Sequence, residues 1–79
     1  MKVRYIGQDI GLDGLRNGNI YEVREVDDLT GYLSVVDESG DDYLYNPRKP
    51  QPIAGEYCGG HFEIIEDDEK GSLRSAILN

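Results

Sequence analysis

Apolar and polar side chains alternate with a period of two through much of this chain, most clearly between residues 19 and 45, NIYEVREVDDLTGYLSVVDESGDDYLY. Tyr21 and Val23 alternate with Glu22 and Arg24; Leu33, Val35 and Asp37 alternate with Tyr32, Ser34 and Val36; Tyr43 and Tyr45 flank Leu44. Successive side chains of a strand point to opposite faces, so the pattern predicts three short strands with one face turned inward. Asp27-Asp28-Leu29-Thr30-Gly31 and Glu38-Ser39-Gly40-Asp41 separate them, and both segments carry the Asp, Ser and Gly of tight turns. An antiparallel meander follows.

The same period extends the sheet in both directions. Residues 1–6, MKVRYI, set Val3 and Tyr5 against Lys2 and Arg4, and residues 61–66, HFEIIE, offer Phe62 and Ile64 on one face. Between residues 7 and 18, glycines at 7, 11, 14 and 18 with Asp9, Asp13 and Asn17 predict an irregular excursion, with Ile10, Leu12 and Leu15 on its apolar side. Pro47, Pro50 and Pro52 lack the donor that a central strand needs, which makes residues 47–60 a long surface loop before the last strand. In residues 67–79, Leu73, Ala76 and Ile77 share a helical face behind a Ser72 cap; this tail either docks as one helical turn or frays. The expectation is an all-β domain over residues 1–66, a small five-stranded antiparallel barrel, followed by the tail at 67–79.

Length and charge narrow what such a domain can do. A 79-residue chain holds one lean core, which favours a surface site over a deep pocket. Sixteen acidic against eight basic residues give a net charge of -8, and the basic residues are scattered, so nucleic acid and anionic membranes are excluded as expected partners. A single cysteine, Cys58, cannot close an internal disulfide, and the first residues carry no apolar signal core; the expected compartment is the cytoplasm.

Particular residues carry a resemblance to the Src-homology-3-like small barrels. Leu15-x-x-Gly18-x-x-Tyr21-x-Val23 resembles the turn and strand after that fold's first long loop, and Tyr32 stands where such domains carry aromatics. Gly40 corresponds to the distal turn, and residues 43–47 (YLYNP) with 62–65 (FEII) resemble the closing segment. At finer grain, residues 1–66 resemble a group of short acidic bacterial proteins with an MKVRYIG-type start, a GxIYEV strand, a DESGxDYLY hairpin and an FEIIE end, a likeness that implies a fold and brings no activity with it. The chain departs from the peptide-binding members in two respects. It has no tryptophan, and it inserts about a dozen residues between Pro47 and Phe62 where the fold normally uses a short turn.

Candidate chemistry is sparse. Of six tyrosines, Tyr5 and Tyr21 fall on inward phases, whereas Tyr32, Tyr43, Tyr45 and Tyr57, with Pro47, form the candidate contact patch, because such rings dominate interface hot spots. The turn at residues 37–42 fails the calcium-loop spacing, since its glycine arrives at the fourth place and no glutamate stands at the twelfth. Cys58-x-x-His61 is half of a zinc site in a chain with no second cysteine or histidine. The expected function is therefore a non-enzymatic protein-interaction module without cofactor or metal, monomeric or weakly dimeric, whose partner is a protein or peptide of basic character. A ligand or metal sensor built on Cys58, His61 and the acidic turns, and a self-associating structural protein, are the alternatives.

Overall fold

The computed structural model describes residues 1–51 and 59–78. Five strands and one helix follow in order: β1 (Lys2–Ile6), β2 (Ile20–Val26), β3 (Leu33–Val36), β4 (Asp42–Tyr45), β5 (His61–Glu66) and α1 (Ser72–Leu78). All pairings are antiparallel, and the sheet runs β4-β3-β2-β1-β5. The long strand β2 serves two neighbours. Its first half, at Ile20, Tyr21 and Glu22, pairs with β1, and its second half, from Val23 to Val26, pairs with β3 across a bulge between Val23 and Glu25. A bulge sharpens the local twist, so the sheet curls around its apolar face. The expected barrel is thereby an open, curled sheet: β4 and β5 are its edges, and no pairing joins them among the described residues.

The inward phases of the strands supply the core. Val3, Tyr5, Tyr21, Val23, Leu33, Val35, Tyr45 and Phe62 are buried, and the rings of Tyr5 and Phe62 meet edge-on with centroids 6.2 Å apart. Each such side chain contributes roughly 1.5–3 kcal/mol by leaving water. Two residues from outside the strands close the ends, Leu15 from the excursion at 7–18 and Leu73 from α1, both fully buried. Leu12, by contrast, is 84 % exposed and takes no part in the apolar side expected of that excursion.

The tail docks, with a cap other than the expected one. Ser72 is the first helical residue, and its hydroxyl donates to Asp68. The free amides of the first turn are met by two carboxylates: Asp68 accepts from Ser72 N, and Asp67 accepts from Leu73 N and Arg74 N at 2.9 and 3.1 Å. Carboxylates at a helix start also complement its dipole. Pro47 and Pro50 are buried, so the connection after β4 begins against the body of the protein rather than as free surface loop. Residues 52–58 of the expected 47–60 loop, with Tyr57 and Cys58, lie outside the described residues.

Candidate functional site: a cleft between the first long loop and the β3–β4 turn

The excursion at residues 7–18 is organised by local polar contacts. Asp9 accepts from the Asn17 amide at 2.9 Å and from the Arg16 guanidinium at 3.2 Å, while Ile10 N donates to Leu15 O and closes the tip. The Asn17 amide, reinforced by Arg16, holds the Asp9 carboxyl below its ordinary value. Gly14 is required by close approach: a Cβ there would stand 2.1 Å from the Ile10 carbonyl oxygen. The β3–β4 turn is equally local. Gly40, at φ 86°, takes the left-handed position and donates to Asp37 O, while the Asp37 carboxylate accepts from the amide (3.0 Å) and hydroxyl of Ser39.

Loop and turn are then locked together. Glu38 N donates to Gly14 O at 2.9 Å and Ser39 N to Asp13 O at 3.1 Å. Two tyrosine hydroxyls tie the turn to the core from below. Tyr21 donates to Glu38 at 2.6 Å while accepting from Arg16 N at 2.7 Å, and Tyr45 donates to Asp37 Oδ2 at 2.7 Å. Burial first, and then the Glu38 carboxylate, push the Tyr21 hydroxyl up to about 12. Burial and Asp37 raise Tyr45 further in the same direction. The Tyr21 and Asn19 donors lower Glu38.

Between the locked loops lies a shallow cleft of about 380 Å³, walled by Ile10, Asp13 and Gly14 on one side and Asp37, Ser39, Tyr43 and Tyr45 on the other. Asp37 is only 8 % exposed, and neither it nor Asp13 takes part in an ion pair among the described residues. Tyr43 shares the inward face with Val35, its partner across the ladder, but stands at the lip, 52 % exposed. A larger hollow of about 790 Å³ lies between the end of β2 and α1. It carries charges of both signs on exposed side chains, including Arg24, Lys70 and Glu69, and so offers no buried polar group to orient a ligand.

The residues of the expected contact patch are only partly brought together: Tyr43 and Tyr45 border the cleft, Tyr32 and Pro47 do not. Tyr45 is 1 % exposed and serves as a core ring with a bonded hydroxyl; Pro47 is buried as well. Tyr45 still borders the cleft, whereas Pro47 does not. Tyr32 is half-buried at the far end of the β3–β4 pair, where its hydroxyl accepts from Asn46 Nδ2 at 3.3 Å, and it does not border the cleft. Of the four described residues, Tyr43 and Tyr45 border the cleft, Tyr43 half-exposed and Tyr45 buried. The cleft residues left out of the expected contact patch are Ile10, Asp13, Asp37 and Ser39, although the turn holding Asp37 and Ser39 belonged to the alternative sensor reading. One signal for them existed, the inward phase of Asp37 in register with Leu33 and Val35.

His61 is exposed at the start of β5, opposite Ile6. Among the described residues no three His, Cys, Asp or Glu side chains gather as a metal cage, and no helix is long and apolar enough to cross a membrane. Fold and cleft define a small all-β protein with a surface cleft, five antiparallel strands and a short C-terminal helix. No family model, curated protein or solved structure matches the chain.

Proposed function

We propose that this protein is a non-enzymatic interaction module of the Src-homology-3-like type that binds a basic polypeptide segment in the cleft between residues 10–14 and 37–43. The observation that carries the reading is Asp37, a nearly buried carboxylate with no cationic partner among the described residues, beside the half-exposed ring of Tyr43. A buried charge is costly unless paired, so a cation delivered by a partner gains more at this spot than at an exposed carboxylate. The net charge of -8 adds a long-range attraction for a basic partner. In the strand order, the bulged β2 shared between β1 and β3 supports the small-barrel resemblance.

Amide-shift titration with an extended lysine- and arginine-containing peptide tests this. Shifts should concentrate at residues 10–14 and 37–43, weaken as ionic strength rises, and diminish in Tyr43→Ala. Tyr45 is unsuitable for the test because its loss would damage the core. Silence in the cleft, or shifts gathered at the hollow beside α1, would sink the assignment.

A further inference from the structure

The cleft's donor and acceptor geometry says more than that its partner is basic. Asp37 Oδ1 is engaged twice, by the amide and the hydroxyl of Ser39. Oδ2 accepts once, from the Tyr45 hydroxyl, and a carboxylate oxygen has room for two donors. Among the described residues the charge therefore keeps one unfilled acceptor position, on one oxygen only. A guanidinium reads a carboxylate best with two parallel N–H donors on two free oxygens. That mode is closed here. An ammonium is a compact point charge that needs a single acceptor and gains from a tyrosine ring nearby. Tyr43 and the second carboxylate, Asp13, border the same space, and Ile10 offers an apolar wall to an alkyl stem.

We propose that the cleft is a lysine-reading pocket: one lysine side chain of the bound segment enters it, its Nζ donating to Asp37 Oδ2 beside Tyr43 and Asp13, its methylenes lying on Ile10. The assignment rests on the binding reading above and goes further by choosing lysine over arginine. It also explains the placement of the two tyrosine hydroxyls. They hold Asp37 and Glu38 in position without neutralising them, since Tyr21 and Tyr45 donate hydrogen bonds and bring no charge.

Three small probes decide it by amide-shift titration of the intact chain: Nα-acetyl-lysine N-methylamide and its arginine and norleucine counterparts. The lysine probe, of about 14 non-hydrogen atoms, should bind with a Kd of about 1 mM. Its shifts should map to residues 10–14 and 37–43, with the arginine probe clearly weaker and the norleucine probe silent. Asp37→Asn keeps an oxygen for Ser39 and removes the charge; it should weaken the lysine probe about tenfold while leaving the rest of the amide spectrum in place. Tyr43→Leu, at the half-exposed lip, should weaken it about threefold.

Equal or tighter arginine binding overturns the lysine assignment, as do shifts spread evenly over the exposed Asp27–Asp28 turn. If basic peptides perturb the cleft but neither substitution changes their affinity, the lysine pocket falls and peptide binding stands. If the lysine probe binds in the cleft and no basic peptide does, the pocket stands and the polypeptide partner falls.

Discussion

Tyr45 gives up its surface role to two interior tasks, filling the core and donating to a carboxylate that is itself 8 % exposed. Removing the donor alone separates them. Tyr45→Phe keeps the ring and strips one hydrogen bond from a charged acceptor, so it should cost about 1.5–3 kcal/mol, read as a lower urea midpoint with an unchanged slope. A loss within error would mean that water replaces the hydroxyl. Gly14 makes a second prediction at this scale. Because an added methyl would meet the Ile10 carbonyl oxygen, Gly14→Ala must move backbone and should destabilise by about 1–3 kcal/mol. Exchange of the Glu38 and Ser39 amides, which bond to the loop, should accelerate with it. Slow exchange of both amides in that variant would show that the loop–turn lock does not depend on Gly14.

Among the elements, α1 shows how a short helix is made stable by what surrounds it. Seven residues are too few to hold a helix in water, yet Asp67 and Asp68 meet its first amides and Leu73 is fully buried beneath it. Burial raises the Asp67 carboxyl, but the Leu73 and Arg74 amides outweigh it, and the net displacement is downward. Leu73→Ala should cost about 2–4 kcal/mol through the lost contacts and the cavity. Asp67→Ala should instead lower the helical circular dichroism signal and speed exchange at Leu73 and Arg74 while the sheet amides stay protected. Loss of the whole sheet in Asp67→Ala would mean that helix and sheet unfold as one unit.

For the whole molecule, the polar contacts set two pH limits. Asp9, Asp27, Glu38, Asp42, Asp67 and Asp68 all sit below their ordinary values of 3.8 or 4.5. A carboxyl lowered by folding binds protons more readily in the unfolded chain, so its stabilisation is complete above the ordinary value and fades as pH falls through the lowered one. Stability should drop steeply below about pH 4. At the other end, Tyr21 ionises at 10.0 when unfolded and at about 12 when folded. Its stabilisation is present below pH 10 and is lost as pH rises towards 12. Urea midpoints across both ranges, with Tyr21→Phe as the comparison in alkali, check the signs. A flat alkaline limb in the unsubstituted protein would contradict the Tyr21–Glu38 bond.

What the chain determined by itself is the set of elements, because each strand's period of two and each turn's Asp, Ser and Gly act over a few neighbouring residues. Residues 20–26, 42–45 and 61–66 were legible as strands, and Leu73, Ala76 and Ile77 as one helical face, for that reason. Contacts between distant segments were not. The Asp67 cap reaches six and seven residues ahead, and the turn at 37–41 joins a loop more than twenty residues earlier in the chain. Tertiary structure alone decided which tyrosines face water. The phase of an alternating pattern names an inward side without saying where that side ends, so Tyr43 and Tyr45 look alike in sequence. One stands at the lip of the curled sheet and the other inside it, because only Tyr45 lies deep enough for its hydroxyl to find Asp37.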